Sequence, residues 1–144
     1  MNEKITALVV TLDEAKTEQI RSVFAALPGF DVKIESAKFA DCVAKLRQSA
    51  ADVSVVFLDE QPGAGCVILE EIKKTQDSIF AFAVSSERSA EIIVKAIRAG
   101  ADELLSAMPT AEELLKALVK VIEKRRTALD QQKKTNRIIT FFSP

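Results

Sequence analysis

The stretch Ala51 to Gly65, ADVSVVFLDEQPGAG, decides how the rest of the chain is read. An apolar run from Val53 to Leu58 stops at an acidic pair, Asp59-Glu60. Pro62, Gly63 and Gly65 follow before a helical pattern begins. A continuous, Val-rich run of this length reads as a strand buried on both faces, as in a parallel sheet. The two carboxylates then stand at its C-terminal end, the edge at which open α/β sheets build their sites.

On the N-terminal side of this stretch, Lys4 to Val10 reads as a first buried strand. Asp13 to Leu27 reads as an amphipathic helix with Ile20, Val23, Phe24 and Leu27 on one stripe, stopped by Pro28-Gly29. Asp31 to Glu35 alternates as a half-buried strand does, with Val32 and Ile34 inward. Ser36 is placed to cap a helix carrying Phe39, Val43 and Leu46. On the C-terminal side, a helix from about Gly65 to Thr75 turns Val67, Ile68 and Ile72 inward. Ile79 to Val84 is a fourth apolar run, ended by Ser85-Ser86. Arg88 to Ala99 forms a helix that buries Ile92, Ile93, Ala96 and Ile97, with Gly100 where a left-handed residue ends it. Glu103 to Ser106 is a short fifth strand. Thr110 and Glu113 then spell a capping box for a long helix to about Leu129. Strand and helix alternate five times, which predicts an α/β fold: a doubly wound parallel sheet with right-handed crossovers in a three-layer sandwich.

At 144 residues one ordinary core is expected, and 48% hydrophobic with 28% charged residues is a globular composition. The net charge of −1 is unevenly spread. Lys124 to Arg137 holds six basic residues and one acid, which leaves the first 123 residues with 14 basic and 20 acidic side chains, net −6. A basic tail of this size without a large aromatic-laced patch predicts a solvated helix end, not a nucleic-acid site. The chain has no histidine. That excludes Ser-His and Cys-His catalysis, phosphohistidine transfer and histidine-bearing zinc sites. Cys42 and Cys66 match no metal spacing and read as small core or helix residues in a reducing cytosol. No segment approaches the length of a membrane span, so a soluble, cytoplasmic protein is expected. Gly63-Ala-Gly65 after a strand is half of a dinucleotide fingerprint, but the third glycine is missing and the strand is not the first.

The order and spacing from residue 4 to 127 resemble a response-regulator receiver domain, the CheY-like (βα)5 phosphorylation switch. The most specific stretch is Ala83 to Leu114, AVSSERSAEIIVKAIRAGADELLSAMPTAEEL. It resembles the region from the fourth strand to the fifth helix of that family, with Ser85 at the switch Ser/Thr position and Ala-Gly-Ala-Asp at 99 to 102. The resemblance implies the strand order 2-1-3-4-5. It also implies what the chemistry would need: two acids ending the first strand and an Asp on the third to hold Mg²⁺. That Asp is the nucleophile toward the phosphoryl group, and a Lys and a hydroxyl stabilise the acyl phosphate.

The sequence departs from this pattern. Thr11 and Leu12 hold the first-strand acid positions, and Asp13 and Glu14 come later, where they suit a helix N-terminus. Met108 holds the Lys position and Leu104 that of the switch aromatic. The loop after Asp59 is one residue short. Asp59, Ser85, Asp13 and Glu60 are therefore the candidate, degenerate phosphoacceptor site. No catalytic residue, metal or cofactor is expected in this chain under that reading. Mg²⁺ belongs only to the alternative, a phosphorylatable receiver using Asp59 and Ser85 in two-component signalling.

The tail adds a second resemblance. Asp130 to Asn136 reads as polar linker, and Arg137 to Phe142, RIITFF, as a strand-like run. It resembles the first strand of a ParA/MinD-type ATPase, whose ATP-binding loop would follow. Residues 1–129 are then a receiver-like domain, and 130–144 a linker and the first strand of a P-loop domain. On its own, that strand is expected to be loose or to pair with a neighbouring edge. A pseudo-receiver ahead of such an ATPase resembles the TadZ/CpaE-type Flp/Tad pilus assembly proteins. The resemblance implies a non-catalytic module for protein contact and localisation, at the cell pole in that family. A homodimer through the fourth and fifth helices and the fifth strand is expected, with Val94, Leu104, Leu118 and Val119 as candidate interface residues.

Overall fold

The computed structural model describes the backbone of residues 3–142 and the side chains of residues 3–127. Five strands and five helices alternate: β1 (Glu3–Val10), α1 (Glu14–Ala25), β2 (Phe30–Ala37), α2 (Cys42–Ser49), β3 (Val53–Phe57), α3 (Pro62–Thr75), β4 (Phe80–Val84), α4 (Ala90–Arg98), β5 (Glu103–Leu105) and α5 (Ala111–Phe142). All pairings are parallel and the strand order is 2-1-3-4-5. The predicted architecture is thus the observed one.

Strands β3 and β4 are buried at every residue, as continuous apolar runs covered on both faces must be. Their side chains divide the core in two. Val53, Val55, Phe57, Phe82 and Val84 pack under α1 and α5. Val56, Leu58, Ala81 and Ala83 pack under α2, α3 and α4. Gly65 lets α3 lie close on the end of β3, since a Cβ there would stand 2.6 Å from Leu58 Cδ2. Cys42 is fully buried at the start of α2, and desolvation pushes its thiol up to about 11.

Side-chain caps set the start of several helices. Asp13 accepts from the Ala15 N–H at the start of α1, and Ser89 from the Ile92 N–H at the start of α4. Gly100 has φ of +109°, and any Cβ there would meet Lys73 Cγ at 2.7 Å. Ser36 is not a cap. It lies within β2, and a 3-10 turn at Phe39–Asp41 leads into α2. In α3 it is Leu69 that is fully buried, while Val67 is exposed. In α4, Ile97 faces solvent.

Arg137 to Phe142 departs from its predicted strand and continues α5. A lone strand would leave its backbone N–H and C=O groups without partners, whereas a helix satisfies them internally. The expected linker from Asp130 to Asn136 is helical for the same reason. Ser143 and Pro144 lie outside the described residues. Among the described residues, no helix is long and apolar enough to cross a membrane.

Candidate functional site

The loops at the C-terminal ends of β1, β3, β4 and β5 meet at one edge of the sheet. Backbone bonds hold the lips of this edge. Leu58 N–H donates to Val84 C=O at 2.9 Å, and Ser85 N–H to Leu105 C=O at 3.1 Å. They bring Asp59 and Ser85 together, as their positions in the sequence implied. Ser85 is buried, and its Oγ lies 3.3 Å from Asp59 Oδ1 and 3.2 Å from Glu87 C=O, so one hydroxyl proton has two acceptors in reach. The Ser86 N–H donates to the same Asp59 oxygen at 2.9 Å. Asp59 itself is exposed.

The other acid of the pair turns the opposite way. Glu60 reaches across to the end of β1, where its carboxylate accepts from Thr11 Oγ1 at 2.9 Å and from the Leu12 N–H at 2.9 Å. Lys16, one turn into α1, completes the cluster with an ion pair to Glu60 at 3.1 Å. Its ammonium also sits 5.5 Å from the Phe57 ring centroid, a cation–π distance. Burial pushes the Glu60 carboxyl up. The hydrogen bonds from Lys16, Thr11 and the Leu12 backbone, with the Lys16 charge, outweigh it and hold the group below the usual carboxylate range. Thr11 is itself buried and accepts from the Asp13 N–H. Asp13 serves as the cap of α1, apart from the other acids.

At the remaining lip, Ser106 donates its hydroxyl and its N–H to Glu113. Thr110 caps α5 through the Glu113 N–H. The Ser106 hydroxyl is the largest influence on Glu113 and lowers its pKa against burial, with backbone N–H groups helping. Met108 is half-buried against the α1/α5 core, where a Lys would instead have offered a cation to the edge.

The donor set does not suit Mg²⁺, which takes several oxygen ligands in octahedral geometry. The first-strand positions carry an apolar side chain and a hydroxyl already bonded to Glu60. That carboxylate is neutralised by an ammonium. Among the described residues, no group of three or more His, Cys, Asp or Glu side chains is placed to hold a metal ion. Lys16 was missed in the sequence. Its only signal was a basic residue three positions after the cap of α1, and its partner lies 44 positions away.

The candidate interface residues divide. Leu118 is completely buried and belongs to the α1/α5 core, so it cannot meet a partner. It lies on the inward stripe of α5 with Leu114 and Val121, and a helix apolar on more than one face conceals which stripe points in. Leu104 is half-buried against the other core. Val94 and Val119 are each 43% exposed.

No family model matches the chain, and none of the curated proteins matches it in sequence. Solved structures do match. A pilus assembly-related protein from Burkholderia pseudomallei superposes with a TM-score of 0.72 at 18% identity, over 81% of this chain and 88% of that one. A pilus assembly protein from Burkholderia thailandensis gives 0.72 at 19% identity, over 83% and 98%. The signal receiver domain of the response regulator NarL from Mycobacterium tuberculosis gives 0.70 at 18% identity, over 82% and 95%. This is the receiver fold. The fold's usual site edge is here occupied by Asp59 with the Ser85-Ser86 turn, and by the cluster of Glu60, Thr11 and Lys16. Identities this low carry the shape and leave the chemistry to be argued from the residues.

Proposed function

We propose that this receiver fold is a protein-interaction and localisation module, not a phosphoryl switch, of the kind that accompanies a pilus-assembly ATPase. The observation that carries the reading is the Glu60–Lys16–Thr11 cluster. It fills the end of β1 with a neutralised carboxylate, where phosphoryl chemistry would want unpaired acids and a divalent cation. Among the proteins of similar fold are two named for pilus assembly, which supports the same direction. The partner would be a protein, either a second copy or a pilus-assembly component, in the cytoplasm or at the cell pole.

One observation favours a second reading. Asp59 is exposed at the end of β3 with the Ser85 hydroxyl 3.3 Å away, the pair a phosphorylatable receiver would use. An amide NMR titration with Mg²⁺ and beryllofluoride, a mimic of the aspartyl phosphate, separates the two. The interaction-module reading expects only ionic-strength drifts. Saturable shifts at Asp59, Ser85 and α4 would replace it with the phosphorylation switch.

A further inference from the structure

The sheet has one long open edge. Strand β2 is outermost and eight residues long, and among the described residues it pairs only with β1. Its backbone orientation follows from two bonds: Glu3 N–H donates to Gly29 C=O and Thr11 N–H to Ala37 C=O. The N–H and C=O of one strand residue point to the same side, and the sides alternate along the strand. The odd residues of β2 therefore face β1. Phe30, Val32, Ile34 and Ser36 aim their N–H and C=O groups outward. An edge of this kind is a template for a further strand. Its side chains are sorted as well: Phe30, Val32 and Ile34 are half-buried beside the α1 layer. On the other face Asp31 and Lys33 are exposed, and Lys33 pairs with Glu35 at 3.5 Å.

We infer that this edge joins a second copy of the chain, β2 against β2 in antiparallel fashion about a two-fold axis centred on Ile34. The backbone restricts the choices, because outward-facing residues must meet outward-facing residues. That leaves, among registers overlapping five residues or more, those centred on Val32, Lys33, Ile34 or Glu35, and the last sets Glu35 against Glu35. Centring on Lys33 sets Lys33 against Lys33 and Asp31 against Glu35, like charges directly opposed. Centring on Val32 opposes Asp31 and Lys33 but overlaps only Phe30 to Ile34. Centring on Ile34 overlaps Asp31 to Ala37, stacks Ile34 on its own copy and sets each Lys33 opposite a Glu35. Those charges fall at the non-hydrogen-bonded positions, where side chains stand closest. The self-complementary charges thus point to a second copy as the occupant, and the longer overlap points to the Ile34 register. The same charges discourage indiscriminate pairing with other strands.

Edge pairing over so few residues is smaller than a standard interface, so a dissociation constant on the order of 100 µM is expected. Sedimentation velocity on the full chain across a concentration series tests it. Lys33→Glu or Glu35→Lys alone reverses two symmetric pairs at once and should weaken self-association about tenfold. The double swap should restore it. A mixture of the two single variants should form a heterodimer, because each again meets an opposite charge, and this outcome also shows both variants folded. Ile34→Pro removes an outward N–H that the intact sheet does not use. It should abolish the dimer and leave the monomer's circular dichroism unchanged. A monomer at all concentrations up to about 500 µM, several times the expected dissociation constant, would overturn the inference. So would a dimer indifferent to the single swaps.

Discussion

The two edges of the sheet use carboxylates for opposite purposes. At the N-terminal edge, Asp102 accepts from the Ala81 N–H at 2.8 Å and pairs with Lys73 at 2.8 Å and Lys124 at 3.8 Å. Asp52 accepts from the Thr6 N–H at 2.9 Å and pairs with Arg125. Each acid ties the start of one strand to its neighbour and then to a helix. At the C-terminal edge, Asp59 and Glu60 are bonded mainly through loops and the first turn of α1. The first edge fixes the register of sheet and helices, and the second lies on segments that loops can remodel. A shallow cavity of about 640 Å³ lies beside the first edge, lined by Asp52, Lys73, Phe80 and Arg125 among others. There Asp52 pairs with Arg125, while Lys73 and Lys124 turn to Asp102.

The contrast predicts the largest stability effects far from the site edge. Asp102→Ala leaves the Ala81 N–H without its acceptor and two lysines without their carboxylate partner, and should cost about 2–3 kcal/mol in urea unfolding. A cost no larger than that of Asp59→Ala would erase the distinction between the edges. Gly100→Ala should lose about 1–2 kcal/mol, from a positive φ and from the collision with the Lys73 stem, read as a lower urea midpoint at unchanged slope. Glu60→Gln should cost about 1 kcal/mol at neutral pH, since it weakens the pair with Lys16 and two hydrogen bonds.

Its pH dependence sharpens the comparison. Glu60 has a folded pKa below the ordinary value of 4.5, so its contribution is present above that value. It is lost as the pH falls through the lower, folded value. Unfolding at pH 6 and pH 3.5 should show a smaller drop in Glu60→Gln than in the parent. Equal drops would mean that the cluster does not form in solution. The smallest effect has the opposite sign. Ala50 ends α2 with φ of +49°, and Ala50→Gly should raise stability by about 0.5–1 kcal/mol in thermal unfolding.

The strands were legible because both-face burial writes itself as unbroken apolar runs, and Val53 to Leu58 could hardly be anything else. The meeting of Asp59 and Ser85 was legible too, since both end adjacent central strands. The Lys16–Glu60 pair was not. It joins the loop after β3 to the first turn of α1 through the tertiary fold, and neither residue is unusual where it stands. Leu118 and Val67 were misjudged for a related reason. Period 3.6 locates a stripe, yet several apolar residues in one turn leave its centre ambiguous by a third of a circle. The tail run from Arg137 shows the limit of local pattern. Five residues of Ile, Thr and Phe after Arg137 fit a strand only if a neighbour supplies the other half of the ladder, and here α5 absorbs them.

Cys42 has a practical consequence. With its pKa near 11, on the order of one thiol in a thousand is ionised at pH 8, and the side chain is sealed beneath α2. An alkylating reagent therefore reads it only when that part of the molecule opens. The rate of labelling becomes a clock for local opening beside β2, the same edge where a second chain is expected to close.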